Sequence, residues 1–222
     1  MSLRSFFLAL GLVALAGCGG SSSGGTGQLR FVQASLNAPG VNFVVDGKTL
    51  GINLAYANIN DYTTLKSGSH HIQVIPVSAS TPIFDGSVSI NNTGNQTLLI
   101  SGPTAHLQSD LVTDGGTTAT TGDGHVRVIN AASSLTAADV YLVPAGTSLA
   151  GLQPVTSSLS YNKDTGYQLI VAGSYEVFLT SPGTVNVLLT TGPINLSSSQ
   201  DQTVVALDGL SGGLRYTLLS DP

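Results

Sequence analysis

The chain is poor in charge, holds a single cysteine, and has no long apolar run beyond its first residues. Only 9% of its 222 residues are charged, against about a quarter in ordinary soluble domains. Seven Lys and Arg stand against 12 Asp and Glu, giving a formal net charge of −5. No basic stripe is available for a phosphate backbone, which excludes nucleic acid as a partner. One cysteine, Cys18, excludes an internal disulfide, so folding rests on packing alone. No C-x-x-C, no H-E-x-x-H and no Gly-rich phosphate loop is present, so the sequence calls for no cofactor and no metal site. Glu176 is the only glutamate, and the aspartates are scattered and mostly turn-borne. That leaves little for the paired carboxylates of a glycoside hydrolase.

What is there points to β-structure. Hydrophobic residues make up 41% of the chain, too many for a disordered segment. The length suits two domains of about 90 residues each. Short runs rich in Val, Ile, Leu, Thr and Tyr, bounded by Gly, Pro, Asn and Asp, read as strands at 29–34, 41–46, 61–66, 69–77, 96–101 and 107–113. Asp46-Gly47 is a hairpin signal.

The chain also repeats itself. Arg30-Phe31-Val32-Gln33-Ala34-Ser35 matches Arg127-Val128-Ile129-Asn130-Ala131-Ala132, and Asn42-Phe43-Val44-Val45 matches Asp139-Val140-Tyr141-Leu142. Tyr56, Tyr62, Gly68 and Ser69 fall on Tyr161, Tyr167, Gly173 and Ser174. Gln96-Thr97-Leu98-Leu99 meets Gln202-Thr203-Val204-Val205, and Leu111-Val112-Thr113-Asp114 meets Leu218-Leu219-Ser220-Asp221. Five blocks in one order make a tandem domain. The expected fold is all-β: two tandem antiparallel, Ig-like β-sandwiches at 29–113 and 125–222, joined by a Gly/Thr-rich linker at 114–124.

The N-terminus resembles a bacterial lipoprotein signal. Arg4 precedes a short apolar run over residues 6–16, which ends in Leu15-Ala16-Gly17-Cys18. The run is about a dozen residues where a membrane span needs roughly 20. The resemblance implies cleavage after residue 17, lipid on the Cys18 thiol, and attachment by two or more acyl chains, which is firm where one chain is marginal. Residues 19–28, rich in Gly and Ser, form a flexible tether with a reach of roughly 17–19 Å. In a Gram-negative host, Gly19 after the cysteine is compatible with the outer membrane.

The repeated unit resembles the family known as domain of unknown function 4397. Three features carry this: the opening strand and small-residue turn (RFVQASLNAPG; RVINAASSLTAAD), the segment Val41-Asn42-Phe43-Val44-Val45-Asp46-Gly47, and Asp61-Tyr62 followed by Ser67-Gly68-Ser69. The second copy departs at Val143-Pro144-Ala145-Gly146, where the Asp-Gly turn is replaced and lengthened. The resemblance implies a sandwich-like fold in exported or surface proteins, with no established catalytic residues.

Candidate sites are few. His70 and His71 are adjacent on a strand and point to opposite faces, so His70 reads as half-buried and His71 as solvated. His106 and His125 flank the linker. Asp110, Asp114 and Asp123 cluster around it, where a calcium ion could use carboxylates, but a solvated turn is the better reading. Gly20-Ser21-Ser22-Ser23-Gly24 has the G-x-S-x-G spacing but lacks the strand and helix of a nucleophile elbow. Tyr56, Tyr62, Tyr161 and Tyr167 read as core or edge residues with backbone-bonded hydroxyls, ahead of an aromatic platform for carbohydrate or peptide. The expectation is a non-enzymatic lipoprotein of the cell envelope, lipidated at Cys18, whose partners are the membrane and an envelope protein or carbohydrate. An accessory subunit of an envelope complex is the alternative, and an envelope hydrolase is a more distant one.

Overall fold

A computed structural model describes residues 24–115 and 121–222. The signal segment, Cys18, the G-x-S-x-G match up to Ser23 and residues 116–120 of the linker lie outside the described residues. The first copy holds β1 (Thr26–Ala34), β2 (Val41–Val45), β3 (Lys48–Leu54), β4 (Thr63–Lys66), β5 (Gly68–Pro76), β6 (Phe84–Ile90), β7 (Asn95–Ser101) and β8 (Gln108–Asp114). The second holds β9 (Asp123–Asn130), β10 (Ala137–Pro144), β11 (Thr156–Ser160), β12 (Lys163–Asp164), β13 (Gln168–Val171), β14 (Gly173–Thr180), β15 (Val187–Thr190), β16 (Ile194–Leu196), β17 (Asp201–Asp208) and β18 (Leu214–Asp221). Among the described residues no helix is long and apolar enough to cross a membrane.

Each copy is a sandwich of two sheets. In the first, β4-β1-β7-β8 faces β3-β2-β5-β6. In the second, a sheet ordered β12-β9-β17-β18, with β13 also on β9, faces β11-β10-β14-β15, with β16 also on β14. Two strands outside the six runs named from the sequence are β3 and β6; Gly51 breaks the pattern of β3, and Gly86 interrupts the inward series Phe84, Val88 and Ile90 of β6. The Asp46-Gly47 turn closes the β2–β3 hairpin with φ of 49° and 79°. Two left-handed residues in succession match the twist of the flanking strands. In the second copy the counterpart of β6 is split into β15 and β16 at Thr191-Gly192-Pro193; a proline has no N–H to give the ladder.

One ladder in each copy departs from the antiparallel expectation. β1 runs parallel to β7, and β9 runs parallel to β17. The chain leaves β1, builds the other sheet, and returns in the same direction to lie beside its start. These central strands are buried on both faces, from Leu29 to Ala34 and throughout β17, as parallel strands usually are.

The reason for two-sided burial is a third core. Leu29, Phe31, Leu98 and Ile100 pack inward against Val41, Phe43, Ile72 and Val74. Val126, Val128, Val204 and Ala206 pack against Val140, Val177 and Leu179. The opposite faces of β1 and β7 (Val32, Ala34, Leu99), with Val112, meet Ile129, Ala131, Val205, Leu207 and Leu219. The protein is therefore four layered sheets with an apolar seam between the copies. The copies are not two sandwiches each standing on its own packing.

Candidate functional site

The seam holds the densest chemistry in the molecule. Arg30 lies on β1 and Arg127 at the equivalent place on β9, 3% and 2% exposed in the middle of apolar strands. A buried guanidinium has to find partners for five N–H donors. Arg30 Nε donates to Thr97 Oγ1 at 2.7 Å within its own copy. Its Nη1 crosses to the Ser220 carbonyl at 2.9 Å, and its Nη2 crosses to Asp221 Oδ1. Arg127 repeats each bond in the other direction. Its Nε donates to Thr203 Oγ1 at 3.0 Å, Nη1 to the Thr113 carbonyl at 2.8 Å and Nη2 to Asp114 Oδ1 at 2.6 Å.

The carboxylates are saturated from their own side. Asp114 Oδ2 accepts from the Tyr62 hydroxyl at 2.8 Å and from Thr97. Asp221 Oδ2 accepts from the Tyr167 hydroxyl at 2.6 Å and from Thr203 at 2.5 Å. Both carboxylates are fully buried. Each arginine lies on a tyrosine ring, Arg30 on Tyr62 at 4.6 Å and Arg127 on Tyr167 at 4.5 Å. Two cations and two anions cancel, and each copy supplies an Arg, a Tyr, a Thr and an Asp at matched positions. Such a self-complementary patch is the isologous contact of a symmetric dimer, here within one chain.

Electrostatics keep the two phenols of the network protonated and Arg127 charged. Burial, and then the Asp114 charge, pushes the Tyr62 phenol far above its usual range. Burial does the same for Tyr167, against the pull of Arg127. Both phenols stay neutral donors. Burial works against the charge on Arg127, but the Tyr167 phenol and the Asp114 carboxylate more than offset it and hold its pKa above the ordinary value.

Several expectations are corrected here. Asp114 is no solvated linker turn; it ends β8 in the buried network. Asp110 is half-buried, with Oδ2 lacking a partner among the described residues, and burial followed by the Asp164 charge raises its pKa. Asp123 opens β9. No group of three metal-ligating side chains occurs among the described residues. Nor are the tyrosines confined to their own sandwiches. Tyr56 donates across the seam to the Asp208 carbonyl at 2.6 Å, and the Tyr167 hydroxyl accepts from the Gly115 N–H across it at 3.2 Å. Tyr161 meets Ser101 of the other copy at 2.8 Å.

The histidines are dispersed. His70 is half-buried between Asp46 Oδ2 at 2.6 Å and the Lys66 carbonyl at 2.7 Å. Both partners only accept, so the site favours the imidazolium, in which both ring nitrogens donate. Burial opposes that charge, and the Asp46 and Lys66 hydrogen bonds outweigh it, raising the pKa. His71 is exposed and bonded to Asp85 at 2.7 Å, and His106 is exposed. His125 is buried on β9 against Asp201 at 2.7 Å, not at a loose linker end. The signal that could have found the seam was in the sequence: an arginine inside an apolar strand, twice, with an aspartate at the end of each copy.

At one end of the seam lies a cavity of about 260 Å³ between Leu36, Gly102 and Pro103 of the first copy and Ser133, Ser134 and Asp208 of the second. The Asp208 carboxylate already accepts four bonds from Ser133 and Ser134, two of them from backbone N–H groups.

Comparison with known proteins gives a match to the domain of unknown function DUF4397 at residues 27–141 and again at 124–222. A search of curated protein sequences finds no match. Among solved structures, the Bacillus anthracis TIE protein is similar over 88% of this chain at 10% identity and a TM-score of 0.26. This chain spans 44% of that one. A multi-modular glycogen-degrading pneumococcal virulence factor is similar over 83% of this chain and 21% of its own, at 9% identity and a TM-score of 0.26. An α-glucan-binding streptococcal virulence factor is similar over 81% of this chain and 92% of its own, at 8% identity and a TM-score of 0.26.

Two outcomes are expected. Arg127→Met strands a buried carboxylate and destabilises by about 3–5 kcal/mol. Arg127→Met with Asp114→Leu costs less than the sum of the single changes, a coupling of roughly 1–3 kcal/mol measurable by urea unfolding. Additive costs would contradict the pairing. The raised phenols of Tyr56 (about 12), Tyr62, Tyr161 and Tyr167 also set an alkaline limit. A folded pKa above the unfolded value contributes stability that is fully present below about pH 10 and lost as pH rises through the folded value. Absorbance titration at 295 nm should show these four phenols ionising only with unfolding.

Proposed function

The chain belongs to the DUF4397 family as two tandem copies, and on that premise we propose that it is a lipid-anchored, non-catalytic binding or adhesion module of a bacterial cell envelope. The observation that carries the anchor is Cys18, the only cysteine, placed at the end of a short apolar run and ahead of a Gly/Ser tether. β1 begins at Thr26, so the tether holds the sandwiches close to the surface they are fixed to. Gly19 is compatible with outer-membrane delivery in a Gram-negative host.

The non-catalytic reading is supported by the way charge is used. The buried Arg and Asp side chains of the seam are spent on one another, and Asp208 is spent on backbone and hydroxyl donors. A second reading, an accessory subunit docked on a partner, draws on β13. This strand at the sheet edge exposes Leu169 (59%) and Val171 (64%), where the first copy has Thr64 and Lys66.

Membrane fractionation of the parent and of Cys18→Ala, with metabolic labelling by a palmitate analogue, tests the anchor. The parent should carry label and sediment with membranes, and the variant should be unlabelled and released. Equal, label-free retention of both would refute lipid anchoring. Cross-linking the anchored form would distinguish the accessory-subunit reading by a single stoichiometric envelope partner.

A further inference from the structure

Two copies of one fold allow a separation that a single domain does not. What both copies carry serves the fold, and what only one carries is free for something else. In the first copy Asn42 Oδ1 accepts from the Asn53 N–H at 2.9 Å, and Asn53 is left-handed with φ of 49°. The second repeats the device with Asp139 Oδ1, the Ser158 N–H at 2.7 Å and φ of 51° at Ser158. That clamp and its strained residue belong to the fold.

The difference lies beside it. The first copy turns from β2 to β3 on residues 46–47, whereas the second inserts residues 145–155 between β10 and β11. Leu149 of this insertion packs with Tyr141 and Val143 on the outer face of the sheet, which fixes the loop. The rest of the loop stands up as one wall of a cleft of about 580 Å³, within the range of small-molecule sites. Leu152 and Gln153 line that wall, and Thr184 and Val185 line the opposite one. Asp139 Oδ2 secures the second wall by accepting from the Gly183 N–H at 2.7 Å.

The floor is Tyr141, where the first copy has Val44. Its side chain is buried to 4% exposure, yet its hydroxyl has no hydrogen-bond partner among the described residues and lines the cleft. The hydroxyl is not buried like the rest of the ring; it opens to the cleft, where a ligand can take the place of solvent on it. The Gln153 amide and the Ser157 hydroxyl, also in the lining, likewise have no partner among the described residues. No Lys or Arg lines the cleft, so nothing there favours an anion. Both oxygens of its one carboxylate, Asp139, are occupied by backbone N–H groups, so nothing there calls for a cation.

We infer that this cleft of the second copy binds a neutral saccharide. The apolar face of a sugar ring suits Tyr141, Leu152 and Val185. Its hydroxyls suit the free hydroxyl of Tyr141, the Gln153 amide and the Ser157 hydroxyl. The inference rests on the reading of the chain as a non-catalytic binding module and names that module's site and ligand class.

The test is a chemical-shift titration of the mature chain, residues 18–222 with Cys18→Ala, using cellobiose and maltose, with a neutral tripeptide as comparator. At least one disaccharide should give saturable shifts centred on Tyr141, Gln153, Ser157 and Thr184. Tyr141→Phe removes one oxygen and leaves the packing, and it should weaken binding about tenfold, roughly 1.4 kcal/mol. Gln153→Ala, on the exposed wall, should also weaken it. Absence of shifts with both sugars, shifts confined to another face, undiminished binding by Tyr141→Phe, or a response to the tripeptide alone would each overturn the inference. Release of monosaccharide during the titration would uphold the site and refute the non-catalytic reading. Because the chain is unanchored, none of these outcomes depends on lipidation.

Discussion

The pairing of Arg30 with Asp221 and Arg127 with Asp114 sets how the two copies meet. Four charges are removed from water at once, and each would be costly alone. They are tolerated because every guanidinium bond crosses to a carboxylate or carbonyl of the other copy or returns to a threonine of its own. Tyr62 and Tyr167 complete the carboxylates and cover the cations. An apolar seam alone would leave the sheets free to slide. Two reciprocal, directional ion pairs leave one register in which every guanidinium nitrogen has a partner.

That constraint explains why the sandwiches look the way they do. Since the sheets β4-β1-β7-β8 and β12-β9-β17-β18 face a core on each side, their central strands are largely buried; Arg30, Thr97, Arg127 and Thr203 serve the network, while Gln33, Gln96, His125, Asn130 and Gln202 bond within their own copy. The outer sheets meet solvent and are freer to vary, and it is there that the second copy has acquired its loop and cleft. Duplication thus divides the molecule into a fixed middle and a variable outside.

Much of the fold was legible in the sequence, and the pairing across the seam was signalled there only by two arginines inside apolar strands. Alternation in His70-Ile72-Val74 marked β5 because one face of that strand meets a core and the other meets solvent. The repeated blocks contained every member of the network, Arg30 and Arg127, Tyr62 and Tyr167, Thr97 and Thr203, Asp114 and Asp221. They were readable as equivalent residues but not as partners, since a repeat gives correspondence and says nothing of contact. Asp114 looked like linker because glycine and threonine follow it, while its burial comes from a β9 arginine that local pattern does not place. The parallel ladders were hidden for a related reason: β1 and β7 pair across the whole second sheet, and no local signal encodes that register. Tyr141 drew no notice because it occupies an ordinary strand position, and the opening of its hydroxyl into a cleft is visible only in three dimensions.

The central claim is that the two copies form one cooperative unit joined through the seam. Differential scanning calorimetry of residues 24–222 tests it most directly. A shared core and crossed ion pairs predict a single transition whose calorimetric enthalpy equals the van't Hoff enthalpy for the whole chain. Two resolved transitions, or a calorimetric enthalpy about twice the van't Hoff value, would mean that each copy melts on its own and that the seam does not govern the structure.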